Sequence, residues 1–159
     1  MVSGQEPYWD DDEIVVHAYI HAVFSTKGRT GWLGDEKFRD TVYSYITAAL
    51  KDMDCESYII GGSDNHVHIL MNQNPNLSID DIINGIKKYS TEEARKTGTT
   101  DFEWQESYGA FSINTCDISE KTKYISGQEE YHNKVSFEDE FMALLDENEI
   151  SYDPDDLFE

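Results

Sequence analysis

Residues 65–72 read Asn-His-Val-His-Ile-Leu-Met-Asn, and this short segment limits the fold more than any other. It is mostly apolar, with Gly61-Gly62 before it and Asn74-Pro75-Asn76 after it. A run of that length between turn residues is expected to be a strand. On a strand, residues i and i+2 share a face. Val67, Ile69 and Met71 then point to one side, and His66 and His68 project together from the other, about 7 Å apart at their Cα atoms. The chain is therefore expected to build a sheet with an apolar layer on one side and a pair of imidazoles facing outward on the other.

The flanking segments supply the rest of that sheet. Residues 13–26, EIVVHAYIHAVFST, are rich in β-branched and aromatic side chains and are expected to be a strand. A glycine-punctuated loop, KGRTGWLG, follows. Residues 35–53 place Phe38, Val42, Tyr45, Ile46 and Leu50 near helical spacing. Residues 55–62 form a short strand, and the brief gap to residue 65 suggests a hairpin. Ser78 with Asp81 resembles a capping box, opening a helix to about Thr97 with Ile79, Ile82, Ile83 and Ile86 on one face. Residues 102–116 are expected to be extended, broken near Ser107-Tyr108-Gly109. Asp117 with Glu120 signals another helix start, with 117–133 expected to be one helix, and residues 136–150 form a last amphipathic helix. The order β-α-β-β-α-β followed by two helices predicts an α+β fold. It is a ferredoxin-like (RRM-like) sandwich with one antiparallel sheet, its first and third strands side by side at the centre, and additional C-terminal helices. Residues 1–12 are expected to be a flexible acidic lead-in, 13–150 one domain, and 151–159 an acidic tail.

Charge bears on the partner. Thirty-three acids against twelve bases leave a net charge of −21 among 159 residues, which taken alone argues against nucleic acid. The excess is uneven. Residues 1–20 carry five acids and no base, and residues 129–159 carry twelve acids with only Lys134. The middle holds sixteen acids and eleven bases, leaving room for a local basic groove. Two distant cysteines, no apolar run near the ~20 residues of a membrane helix and no signal-peptide pattern lead to an expectation of a cytoplasmic protein without a membrane partner.

Two imidazoles on one strand face suit a metal ion, and they also suit plain hydrogen bonding on a half-exposed sheet. A triple-histidine hydrolase motif would need histidine at position 70, where this chain has Leu70. Tyr124 and Gln128 are i, i+4 and share a helical face. The amide oxygen of Gln128 can complete a two-histidine site, and a tyrosine one turn away can serve as a nucleophile. Spacing also permits a packed Tyr124 and a solvated Gln128.

Five segments taken together resemble a known family: HAVFSTKGR (21–29), GGSDNHVHIL (61–70), WQESYGAFSIN (104–114), YISGQEEYHNKVSFEDEFMALL (124–145) and ISYDPDDLF (150–158). In that order and spacing they resemble the single-tyrosine HUH transposases of insertion sequences and their REP-associated relatives. The resemblance implies that His66 and His68 bind a divalent cation, Mg²⁺ or Mn²⁺, with Gln128 as third ligand. It implies that Tyr124 attacks a DNA phosphate and becomes linked to the 5′ end. It also implies a substrate of single-stranded DNA hairpins at element ends, and a homodimer in which the tyrosine helix acts in cis or in trans. The alternative is a domesticated or inactive single-stranded nucleic-acid-binding protein on the same fold. Two positions depart from the family pattern: Asn65 stands where the family has Asp, and Tyr131 where it commonly has a first histidine of a pair ending at His132.

Candidate DNA contacts are Lys27, Arg29, Lys87, Lys88, Arg95, Lys121 and Lys123, each also readable as an ordinary solvated cation. His21 alternates onto one face of the first strand with Tyr19 and Val23; a structural hydrogen bond is its expected role, with support of the metal site or a DNA contact as the alternative, and Asn65 would orient His66. Trp104, Tyr108 and Phe111 are candidates for stacking on bases, with core packing the expected role of Phe111 and an open alternative for Trp104.

Overall fold

The computed structural model describes residues 16–158; residues 13–15 of the expected first strand lie outside them. The elements are β1 (Tyr19–Ser25), α1 (Glu36–Asp52), β2 (Glu56–Gly62), β3 (His66–Asn72), α2 (Ile79–Lys96), β4 (Gly109–Ile113), α3 (Ile118–Ser126), α4 (Gln128–Tyr131) and α5 (Phe137–Glu147). The strands form one antiparallel sheet in the order β2-β3-β1-β4, the α+β arrangement expected from the element order. Of residues 102–116 only 109–113 join the sheet, and an isolated bridge ties Trp104 to Thr26. The Lys87 ammonium also fixes the turn before β4, donating to the carbonyls of Gln105, Glu106 and Ser107.

Alternation along the strands sorts the two faces. Ile20, Ala22 and Phe24 of β1 join Val67, Ile69 and Met71 of β3 beneath α1 and α2, whose Val42, Ile46, Leu50, Ile82, Ile83 and Ile86 are fully buried there. Each such apolar side chain removed from water contributes about 1.5–3 kcal/mol. Trp104 belongs to this core: its indole donates to Ser90 Oγ at 2.9 Å, and its ring stands edge-on to Phe24 and Phe102. Phe111 is buried in a second cluster with Val23, Phe137, Phe141, Leu144 and Leu145. Neither ring is available as a base-stacking platform.

That second cluster corrects the expectation of an outward-facing histidine pair. The opposite face of the sheet is roofed by α3, α4 and α5, and His21, His66 and His68 are fully buried beneath them. Tyr152, Leu157 and Phe158 pack against the same cluster, so the segment expected to be a tail contributes to the roof. Caps place the helices: Asp35, Ser78 and Ser136 each accept from backbone N–H groups of the first turn. Asp117 makes no such bond, and α3 is entered through a turn of 3₁₀ helix instead.

Two glycines let the roof close on the sheet. Gly61 pairs with His68 across β2 and β3, so both face the roof. A Cβ at Gly61 would land on the carbonyl oxygen of Ile125. A Cβ at Gly109 would meet Phe141 Cε1 at 2.6 Å. At Gly61 the absent side chain admits α3 close enough for Tyr124 to reach His68. Gly61→Ala is therefore expected to lower stability by about 1–3 kcal/mol through overpacking and to displace α3. Denaturant unfolding reads the first effect, and loss of the Tyr124–His68 nuclear Overhauser contacts the second.

Candidate metal and tyrosine centre

Each side chain of the site is placed by a different element. His66 and His68 come from β3, with rings 5.0 Å apart. Gln128 opens α4, and His132 follows it one turn later. Glu140 projects inward from α5 with 1% of its surface exposed. Residues 117–133 do not make the single helix expected: Gly127 separates α3 from α4, as the poor helix propensity of glycine favours. Gly127 donates to the carbonyl of Lys123 and accepts from the backbone N–H of Tyr131, so the helical path continues through the break. Tyr124 and Gln128 thus still converge.

They converge on Glu140. Its Oε1 accepts from His68 Nε2 at 3.0 Å and from His132 Nε2 at 3.1 Å, and lies 3.3 Å from His66 Nε2. Its Oε2 accepts from Gln128 Nε2 at 2.8 Å and from the Tyr124 hydroxyl. Gln128 Oε1 lies 3.0 Å from His66 Nε2 and 2.8 Å from His132 Nε2. The Tyr124 ring stands edge-on to His68 with centroids 5.6 Å apart, within the same chain.

Electrostatics follow from burial and that carboxylate. Burial alone would push the Glu140 carboxyl up, but hydrogen bonds from His132, His66 and His68 outweigh it and hold the group well below the usual carboxylate range. Burial pulls His68 down to about 4, against the opposing pull of Glu140. Burial and then the charge of Glu140 push the Tyr124 phenol far above its ordinary value. Burial also lowers His132, but there the hydrogen bond and charge of Glu140 prevail, and the net shift is upward.

This donor set fits a divalent cation. One ligand atom each from His66, His68, His132 and Glu140 lies within 4.8 Å of the others. A buried carboxylate whose neighbours are imidazoles, an amide and a phenol has no fixed cation to offset its charge, and such a group is costly unless paired or metal-bound. The outer nitrogens have partners as well. Asn65 Oδ1 lies 2.9 Å and Ser63 Oγ 3.0 Å from His66 Nδ1, and His21 Nε2 lies 2.7 Å from His68 Nδ1. Partners so placed can take an Nδ1–H when a cation occupies Nε2.

The candidate cations divide. Lys121 Nζ sits 5.1 Å from the centre of the Tyr124 ring, and Lys123 is exposed on the same helix. Arg29 pairs with Glu138 at 2.8 Å and lies over the ring of Phe158. Lys27 meets Glu103 at 3.5 Å. Lys87, Lys88 and Arg95 belong to α2, on the far face of the sheet from the histidines. Arg95 donates to the carbonyl of Phe102, and Lys87 is engaged by the carbonyls before β4. The geometry does not bring these three to the site. Glu140 was not among the residues expected there. The signal was its position: with Phe137, Phe141 and Leu144 it occupies the i, i+3, i+4, i+7 stripe of α5, an acid on the apolar face. His132 stood out only as a departure from a pattern.

Comparison with known proteins accords with this geometry. The chain resembles the solved structure of a candidate transposase from Deinococcus radiodurans R1, with a TM-score of 0.60 and 18% identity over 74% of this chain and 95% of that one. It also resembles a REP-associated tyrosine transposase bound to a REP hairpin, with a TM-score of 0.59 and 17% identity over 80% of this chain and 76% of that one. No curated protein matches the sequence. Residues 14–128 match the family described as Transposase IS200 like, a span that includes His66, His68, Tyr124 and Gln128 and stops before His132 and Glu140. By that match, the chain belongs to the IS200-like transposase family.

Proposed function

We propose that this protein is a metal-dependent DNA transposase that cleaves and rejoins single-stranded DNA through a covalent 5′-phosphotyrosine. The observation that carries the reading is the convergence on Glu140: one buried carboxylate touches the Tyr124 hydroxyl, Gln128 and the three inward-facing imidazoles. Nucleophile and metal-ligating groups thus share one cluster within one chain.

Tyr124 is the nucleophile. Its oxygen forms a bond to phosphorus, and the bond from phosphorus to O3′ breaks. The phenol loses its proton, the departing O3′ gains one, and the 5′ phosphate remains on the tyrosine. Attack by a 3′-hydroxyl on the phosphotyrosine reverses these bonds and joins strands without ATP. His66, His68 and Gln128, supported by His132 and Glu140, would hold the cation. When bound, that cation supplies Lewis-acid polarisation of the phosphate and offsets its developing charge. Imidazole-rich ligation suits Mn²⁺ better than Mg²⁺. Until then Glu140 keeps the phenol protonated and oriented.

The substrate on this reading is a single-stranded hairpin at an element's end, in line with the REP hairpin bound by the structural relative, and the working form is a homodimer. No helix among the described residues is long and apolar enough to cross a membrane.

Tyr124→Phe is expected to abolish the covalent adduct with a labelled single-stranded hairpin in Mn²⁺ while leaving hairpin binding intact. Undiminished adduct would refute the assignment. A non-catalytic binder would instead form no adduct and bind DNA equally with or without EDTA. Saturating Mn²⁺ at about 100 times Kd should stabilise the wild type by about 2.7 kcal/mol, read as a rise in Tm that His66→Ala removes. Glu140→Ala strands several buried donors at about 1–3 kcal/mol each, so a loss of at least about 2 kcal/mol is expected in metal-free denaturant unfolding.

A further inference from the structure

One ion pair joins the roof to the helices on the other side of the sheet. Arg39 of α1 meets Glu129 of α4, with Nη2 2.7 Å from Oε1. These two helices lie against β2, an edge strand, from opposite faces, so the pair reaches past that strand. Its members differ in setting. The Arg39 side chain is 15% exposed and that of Glu129 is 69% exposed. The guanidinium is a planar fork that loses little freedom per hydrogen bond formed. The carboxylate stays open to water and to screening by salt.

Glu129 is the residue next to Gln128, and α4 is a single turn of four residues, parted from α3 at Gly127. A helix that short is not stable by itself, so its contacts set its place. On its inner side those contacts are with the buried cluster. Gln128 meets Glu140 Oε2 and His66 Nε2, and His132, one turn on, meets Glu140 Oε1. A cation held by these groups would exchange some of those contacts for its own. The contact with Arg39 lies outside the cluster, on a helix that supplies none of the candidate ligands.

We propose that Arg39 is a positioning residue for the cation site: through Glu129 it pins α4, so that Gln128 stays turned toward His66 while the contacts of Glu140 are exchanged for a cation. The proposal rests on the metal-dependent reading above. Arg39 touches neither the cation nor DNA and acts on affinity. A ligand already held in place loses less freedom when it binds, and that restraint favours the loaded state. Because Glu129 is open to solvent, the effect weakens as salt rises.

The test is calorimetric titration of the EDTA-stripped, full-length protein with Mn²⁺, beside urea unfolding of the metal-free protein. Wild type is compared with Arg39→Met, Glu129→Gln and the double variant. Mn²⁺ affinity should fall about three- to fivefold in either single variant, the size of a coupling between partly exposed charges, and no further in the double variant. Glu129→Gln alters an exposed side chain and reports the same loss should Arg39→Met fail to fold. Arg39→Lys should recover most of the affinity. The gap between wild type and Glu129→Gln should close in about 1 M salt, where the screening length is about 3 Å. If the single variants lose urea stability but keep the wild-type Mn²⁺ affinity, the proposal is overturned and the metal site stands. Additive losses in the double variant would also overturn it, since the two side chains would then act separately. If the wild type binds no Mn²⁺, the metal-dependent reading has failed and the proposal falls with it.

Discussion

A carboxylate with 1% of its surface exposed holds the C-terminal helices of this protein to its sheet. Glu140 receives hydrogen bonds from β3, from α3, from α4 and from the segment after α4. An isolated buried charge is among the costliest things a fold can contain, so its partners cannot drift without a large loss of stability. The position of Tyr124 relative to the histidines is thus fixed by the same interaction that makes the roof worth building. Apolar packing of Phe137, Phe141, Leu144 and Leu145 on Val23 and Phe111 supplies the surrounding adhesion; the carboxylate supplies the register.

On the proposed reading, the consequence is a site with its nucleophile in reserve. Glu140 holds the phenol as a donor through Oε2, and burial together with that charge lifts its proton affinity, while the three imidazoles present their inner nitrogens to Oε1. A cation entering this cluster would replace contacts that the carboxylate makes in its absence. Metal loading and release of the tyrosine are therefore two aspects of one rearrangement.

How much could be seen in the chain beforehand varies with the kind of signal. The i, i+2 spacing of His66 and His68 and the i, i+4 spacing of Tyr124 and Gln128 are local, and local geometry put both pairs where they are found. His21 was legible from alternation along β1. Burial of that face was not, because a sheet face bearing histidines looks solvated until the helices that cover it are in view. Glu140 was obscured by company: Glu138, Asp139 and Glu140 read as one charged run in the first turn of α5, a favourable place for acids, and only its phase with Phe137, Phe141 and Leu144 marks it as inward. Lys87 and Arg95 misled for the converse reason. Cations on an amphipathic helix read as solvent-facing, whereas these two turn to backbone carbonyls on the far side of the sheet. The net charge of −21 misled in another way. Averaged over the chain it hides the fact that one of its acids is the buried centre of the site.

The central claim is that a single cation binds where β3 meets the helical roof. Crystals grown with Mn²⁺ and measured at an energy where manganese scatters anomalously test it most directly. The account predicts one anomalous peak within bonding distance of His66 Nε2 and His68 Nε2 and of a side chain from the roof, with the Tyr124 hydroxyl beside it. A fully loaded crystal with no peak between those two imidazoles would contradict it.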